Sequence, residues 1–95
     1  MSKNSNLQTV VNSLLKYRGK ISCLFEGYRR PIVSDVIDCV QFKETIIMET
    51  SIYGSNGAHI FIKVRVDSSS KNGYICQNHN INENILKKVV LLDWK

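Results

Sequence analysis

The sequence predicts a mainly β protein in which one N-terminal helix precedes a small β-barrel, and three observations lead to this prediction. Apolar residues in the first segment recur at helical spacing. From residue 20 the period changes to two, in short runs separated by turn-forming residues. The chain has 95 residues, the length of one domain with a thin core. We therefore expect a single domain over residues 1–95, with four or five short, bent strands after the helix.

The first segment, about residues 5–18, is predicted as an amphipathic helix. Its apolar stripe consists of Leu7, Val10, Val11, Leu14 and Leu15. A stripe of this kind is typical of a helix with one buried face. Asn4, Ser5 or Asn6 can cap the first N–H groups, and Gly19 is placed to end the helix.

Four later segments predict strands, because they alternate with period two or form short apolar runs. They are "ISCLFEG", "PIVSDVIDCVQF", "TIIMET" and "AHIFIKVRV". The second has apolar residues on both parities, which predicts a strand that bends or is covered on both faces, and Pro31 suits its first position. In the fourth, Ile62 is expected to face inward while Lys63 and Arg65 face outward.

The tail from Asp67 is less regular. "DSSSKNG" predicts a loop, "YIC" a short strand and "QNHNINEN" a polar segment rich in turn formers. "ILKKVVLLDW" fits either a helix or a strand over "KVVLLDW", and we favour the strand.

The chain is basic, since lysine and arginine outnumber aspartate and glutamate by 13 to 8, with a net charge of +5 and a pI near 9.3. This balance favours a nucleic acid, an anionic lipid or an acidic protein as partner. No stretch approaches the ~20 apolar residues of a membrane span, and the start "MSKNSNLQ" lacks the apolar region of a secretory signal. We expect a soluble, cytoplasmic protein without a membrane partner.

Cysteine and histidine form no recognisable reactive group. Cys23, Cys39 and Cys76 are an odd, scattered set, which fits a reducing compartment and a role as small buried hydrophobic residues. Neither His59 nor His79 lies in a nucleophile arrangement, and "CQNH" is only half of a metal-ligand spacing. We therefore predict no catalytic residues, no metal and no cofactor, and a protein that is not an enzyme.

The stretch "KYRGKISCLFEGYRR" (residues 16–30) places basic residues at both ends of the first strand. The helix-end patch contains Lys16, Arg18 and Lys20 with Tyr17, and the loop patch contains Arg29 and Arg30 with Tyr28 and Phe25. Basic side chains beside aromatic rings are typical of single-stranded RNA binding. The alternative is a solvated surface, with Tyr17 closing the packing of the helix on the barrel.

The order of elements resembles the Sm-like fold, and several short motifs resemble bacterial Hfq. "MSKNSNLQ" is similar to the family's polar start with a Leu-Gln pair, and "ISCLFEG" to its first strand. "VIDCVQFKETIIME" keeps the Gln-Phe pair, and "HIFIKVRV" resembles the strand of the family's Tyr-Lys-His motif, with Val64 at the histidine. The likeness covers roughly residues 3–66. It implies a bent five-stranded SH3-like (Sm-like) barrel, with residues 67–95 a divergent extension or last strand.

The resemblance also implies a function in post-transcriptional regulation, as a homo-oligomeric ring that binds single-stranded RNA. The residues that match the uridine-binding face are Gln8, Gln41, Phe42 and Lys63. The basic rim matches Lys16, Arg18 and Lys20. The opposite, purine-binding face matches Phe25, Tyr28, Arg29 and Arg30.

Structural roles remain open for three of these residues. Phe42 has the parity of Val36 and Val40 and fits the core equally well. Gln8 can exchange hydrogen bonds within the helix, and Lys63 can protect a sheet edge from pairing.

Two other functions stay open for the whole chain. One is a phage- or mobile-element-type module that binds and inhibits an acidic host protein, with the C-terminal segment as a possible contact. The other is a cyclic-dinucleotide site, because "YRRP" and "ETSIYG" resemble the motifs of PilZ barrels and would need Arg29, Arg30 and Ser51 to converge.

Overall fold

The computed structural model describes residues 3–78 and 85–94. One helix and six strands follow the chain: α1 Lys3–Lys16, β1 Lys20–Phe25, β2 Ile32–Phe42, β3 Thr45–Tyr53, β4 His59–Val66, β5 Tyr74–Asn78 and β6 Leu86–Leu91. All neighbouring strands are antiparallel, in the order β5-β4-β3-β2-β1-β6, and they form a nearly closed barrel. The predicted fold, an N-terminal helix before a small bent barrel, is confirmed, with six strands instead of five.

Helix α1 packs its apolar stripe on the barrel and ends two residues before the predicted end. Leu14 is fully buried, and Val10, Val11 and Leu15 pack against the core. Beyond the helix, Gly19 is required by a close approach, because a Cβ there would lie 2.9 Å from the hydroxyl of Tyr17 and would also strike the Asp93 carboxylate. A side chain at this position would therefore require the Tyr17 hydroxyl or the Asp93 carboxylate to shift.

Strand β2 is long and serves both halves of the barrel. Its first part, from Ile32 to Asp35, pairs with β1, and its second part pairs with β3. The register shifts between Val36 and Asp38, which marks a bulge. Val36 is buried before this shift and Cys39 packs against the core after it. The bulge thus explains why apolar residues occur on both parities of this strand.

The core fills the barrel from β1, β3 and β4. Even-numbered residues of β3 from Ile46 to Ile52 are buried, as are Ile60, Ile62 and Val64 of β4. The predicted inward face of β4 is therefore confirmed. The remaining buried apolar residues are Leu14, Tyr17, Ile21, Cys23, Phe25, Val36, Tyr74 and Leu91.

The tail supplies both edge strands of the sheet. β5 pairs with β4, and β6 pairs with β1, so the prediction of a strand in this segment is confirmed, although β6 covers Leu86–Leu91 and not the whole of "KVVLLDW". Tyr74 and Trp94 pack edge to face at 5.3 Å, and Tyr17 lies 6.4 Å from Trp94. The Tyr74 hydroxyl accepts the Leu91 amide at 3.3 Å, and the Trp94 indole donates to the Asn72 carbonyl at 3.1 Å. Residues after Asp67 therefore bridge the seam between β5 and β6.

Candidate functional site

The outer face of β2 to β5 brings apolar and basic side chains together. Strand pairing places them in two neighbouring rows, Phe42, Thr45 and Arg65 in one and Val40, Ile47, Lys63 and Gln77 in the other. Lys63 and Arg65 face outward because the intervening residues of β4 fill the barrel.

A groove of about 530 Å³ lies over these rows and is called the Phe42 groove. Its lining consists of Phe42, Lys43, Glu44, Thr45, Ile47, Lys63, Arg65 and Gln77. The Phe42 side chain is 62% exposed, and the Lys43 ammonium lies 5.6 Å from the centre of its ring. Three cations and one carboxylate therefore surround an aromatic ring that is open to solvent.

A two-residue turn sets the position of Phe42. Lys43 and Glu44 join β2 to β3, and Lys43 has a left-handed φ of 56°. Such a φ at the first turn residue suits the right-handed twist of the hairpin. The Thr45 hydroxyl donates to the Phe42 carbonyl at 2.9 Å, and the Gln41 amide donates to the Lys43 carbonyl at 3.4 Å. The turn thus holds Phe42 beside Thr45 at the end of the sheet.

The uridine-face residues suggested by the resemblance are only partly brought together. Phe42 and Lys63 line the same groove, and Gln41 is in the hairpin that forms it. Gln8 lies on α1, where its amide donates to Asn12 at 3.0 Å, the local role left open above.

In the helix-end patch, two of the three basic residues are paired with acids of β2. Arg18 lies 3.5 Å from Asp38 and also donates to the Leu15 and Tyr17 carbonyls at 3.0 and 2.8 Å. Lys20 lies 2.8 Å from Asp35, and this hydrogen bond raises the pKa of its ammonium. Much of the positive charge at this end is therefore balanced within the protein.

The loop patch surrounds a smaller cleft of about 210 Å³ between the β1–β2 loop and the β3–β4 turn. Its aromatic walls are Phe25, Tyr28 and Tyr53. Arg29 and Arg30 are exposed in the same loop as Tyr28. This cleft lies at the opposite end of β3 from the Phe42 groove, because Tyr53 ends the strand that Thr45 begins.

Two of the aromatic residues predicted to bind RNA, Tyr17 and Phe25, are too buried to stack with a base. Tyr17 is 8% exposed and Phe25 is 2% exposed, so neither ring offers a face to a base. The Tyr17 hydroxyl accepts the Asp93 amide at 3.0 Å and donates to the Lys20 carbonyl, which joins α1, β1 and the C-terminal turn. Tyr17 therefore has the packing role that was the alternative in the sequence.

The cyclic-dinucleotide arrangement would require Ser51 to face the two arginines. Its hydroxyl instead contacts the hydroxyl of Ser34 and accepts the Asp35 amide at 3.0 Å. Ser51 thus uses its hydroxyl to bind β2, while Arg29 and Arg30 belong to the exposed loop.

A second aromatic pair lies at the far end of the outer face. The rings of Tyr53 and His59 are 4.7 Å apart, and Tyr53 is 69% exposed. The Nδ1 atom of His59 lies 2.7 Å from a carboxylate oxygen of Glu49.

The thiols are protected by the barrel. All three cysteines are free, and burial raises the pKa of Cys23 and of Cys76 to about 12. Burial also raises the pKa of Cys39. At neutral pH these groups are therefore thiols, the unreactive form.

Within residues 3–78 and 85–94, no group of three or more histidine, cysteine, aspartate or glutamate side chains is placed to hold a metal ion. No helix there has the length and hydropathy needed to cross a bilayer. His79 of the "CQNH" half-spacing lies outside the described residues.

No family model, no curated protein and no solved structure matches this chain. Sequence reasoning missed Lys43, Arg65 and Gln77 as members of the groove. The outward parity of Arg65 was visible in the sequence, whereas the positions of Lys43 and Gln77 depend on the hairpin turn and on the pairing of β4 with β5.

Proposed function

We propose that this protein binds single-stranded RNA through the Phe42 groove. The observation that supports the proposal is the exposed Phe42 ring beside the cations of Lys43, Lys63 and Arg65. An aromatic ring can stack with a base, for about 1–3 kcal/mol, while nearby cations bind the phosphates. A ring that contacts water in the free protein would become covered in the complex, which adds apolar burial to the stacking.

A single strand fits this surface better than a duplex. Stacking on Phe42 requires an unpaired base, because the bases of a double helix already stack on each other. The groove is formed by a sheet face and a hairpin, which leaves it open along the strands. The proposed function is binding without chemistry, in the reducing cytoplasm where three free thiols persist.

The remaining basic residues would act at longer range. Lys16, Arg29 and Arg30 are exposed and would attract the RNA backbone in a salt-dependent way. Arg18 and Lys20 would contribute less, because Asp38 and Asp35 already balance their charges.

A homo-oligomeric ring is a further part of the proposal. Because β5 and β6 are the two edge strands and face each other across the seam, ring formation would use the backbone groups of these strands that the seam leaves unpaired. Light scattering after size-exclusion chromatography measures the mass directly. A monomer would contradict the ring and leave the Phe42 groove as the proposed RNA surface.

The direct test is fluorescence anisotropy with labelled 12-nucleotide oligo(U) and oligo(A) at about 100 mM salt. We expect Phe42→Ala to weaken binding about tenfold, and Phe42→Trp to retain it, because the loss of one stacked base costs about 1–3 kcal/mol. Val33→Ala is the matched control, since this side chain is 58% exposed on the β1 half of β2. Equal affinities for Phe42→Ala, Val33→Ala and the unaltered protein would contradict the proposal.

A protein-binding module is the second candidate, and the outer face of β6, β1 and β2 favours it. Leu24, Pro31, Lys88 and Val90 line a groove of about 240 Å³ there, beside the exposed Val33. Apolar side chains with a lysine at their border suit an acidic protein partner. A monomer that binds neither oligonucleotide at ~150 mM salt would favour this function over RNA binding.

A further inference from the structure

The Tyr53–His59 pair lies on the same outer face as the Phe42 groove. The residues of β3 with even numbers fill the barrel, so Thr45, Ile47 and Tyr53 share the outer side. Tyr53 pairs with His59 across the strands, and Thr45 pairs with Arg65. The two aromatic positions are therefore at opposite ends of one β3–β4 ribbon.

The two ends are joined by the same pair of strands, with one register shift between Glu49 and Tyr53. Phe61 pairs with Glu49, and Lys63 pairs with Ile47, in the rows that separate His59 from Arg65. From Thr45 to Tyr53 the strand advances eight residues, or ~26 Å at about 3.3 Å per residue. This length corresponds to ~8 nucleotides at the ~3.4 Å spacing of a stacked strand, and to fewer when the bases are splayed.

We infer that the Tyr53–His59 pair is a second base-stacking subsite, and that one RNA strand follows the β3–β4 ribbon from the Phe42 groove to this pair. The inference depends on the proposed function, because it extends the same binding site. Tyr53 is 69% exposed although its ring packs at 4.7 Å from His59, so most of the ring can accept a base. The bound strand would cover at least four nucleotides, the lower end for a small barrel.

The cations of the ribbon lie at its Phe42 end. Lys63 and Arg65 lie at the Phe42 end, and the RNA backbone would pass beside them. Glu49 is the carboxylate on the ribbon, and the His59 imidazole holds it at 2.7 Å. The phosphates would therefore be held at the Phe42 end, and the bases would stack from there toward Phe61 and the Tyr53–His59 pair.

The test measures affinity against length for labelled oligo(U) of 3, 6, 9 and 12 nucleotides, with salt held constant. For the unaltered protein we expect affinity to rise steeply up to about 8 nucleotides and then to level off. Tyr53→Leu keeps an apolar side chain and removes the ring, and we expect it to weaken 9- and 12-nucleotide binding about tenfold and 3-nucleotide binding little. Tyr53→Phe should retain the affinity.

The outcomes separate this inference from the proposed function. If Phe42→Ala weakens binding while Tyr53→Leu leaves the affinity for every length unchanged, the second subsite is overturned and the proposed function stands. If affinity levels off at 3 nucleotides, the strand does not follow the ribbon and the inference fails in the same way. If the unaltered protein binds no oligonucleotide of any length, both fail. Val33→Ala, in the part of β2 that pairs with β1, controls for nonspecific loss of an exposed apolar side chain.

Discussion

Two basic regions of this molecule have similar composition and different surroundings. In the helix-end patch, Arg18 and Lys20 are each paired with an aspartate of β2. In the Phe42 groove, Lys43, Lys63 and Arg65 line a common surface, and among the described residues none of the three forms an ion pair. The comparison teaches that a local excess of lysine and arginine is available to an anionic partner only where the fold leaves the charges without carboxylate partners.

The largest expected effect comes from removing the charges of the groove. A Lys43→Ala, Lys63→Ala, Arg65→Ala variant should lose about a hundredfold of RNA affinity and reduce the slope of log affinity against log salt by ~2. The comparison variant Arg18→Ala, Lys20→Ala, which removes two charges where the first removes three, should lose less than about threefold, because its charges are already balanced. Salt titrations by fluorescence anisotropy measure both. Equal losses of RNA affinity in the two variants would contradict the proposed difference between the groove and the helix-end patch.

The second effect is on stability and belongs to the helix-end region. Gly19→Ala places a Cβ against the Tyr17 hydroxyl and Asp93, so we expect a loss of about 1–3 kcal/mol in the free energy of unfolding. Thermal denaturation should show a Tm lower by roughly 5–15 °C. Phe42→Ala, at an exposed position, should leave the Tm within a few degrees of the unaltered protein. A Gly19→Ala variant with unchanged Tm would show that the turn accommodates a side chain.

The third effect is the pH dependence of stability, which reports on the barrel interior beneath both regions. Burial raises the pKa of Cys23 and Cys76 to about 12 in the folded protein, against a reference near 8.5 for the exposed thiol. Folding therefore favours the protonated thiol. The two thiols therefore contribute fully to stability below about pH 8.5. Their contribution falls as the pH rises toward 12, because in that range the thiols ionise only in the unfolded chain.

We expect the free energy of unfolding to decrease above pH 9 by up to about 1.4 kcal/mol per pH unit for each thiol. Urea denaturation at pH 7, 9 and 10 measures the slope. A constant free energy of unfolding from pH 8 to 10 would contradict the burial of these two groups.

The smallest expected effect is an increase in RNA affinity. Asp35→Asn with Asp38→Asn removes the partners of Lys20 and Arg18, and the helix-end patch should then attract RNA more strongly. We expect affinity to increase about threefold at low salt, and the increase to vanish near 500 mM salt, where surface charges are screened. Anisotropy at both salt concentrations measures the gain. An unchanged affinity at low salt would mean that this end of the barrel lies outside the reach of the bound strand.

Much of the fold followed from local patterns, whereas the candidate site did so only in part. The apolar stripe of residues 5–18 predicted α1, and alternation in "AHIFIKVRV" predicted which side of β4 is buried. The same alternation predicted that Lys63 and Arg65 share a face. The position of Phe42 was ambiguous, because its parity matched that of the buried Val36. The bulge between Val36 and Phe42 changes which alternate residues of β2 face the core, and it places the Phe42 side chain on the outer face of the barrel.

The sequence by itself determined the helix, most of the strands and the basic balance, because periodicity and composition are local properties of the chain. Tertiary structure alone decided which charges are balanced, since Arg18 meets Asp38 only through the contact of the helix end with β2. It also decided that the tail completes the barrel, because β6, near one end of the chain, pairs with β1, near the other. Such contacts depend on register and on closure of the sheet, and no short stretch of sequence contains either.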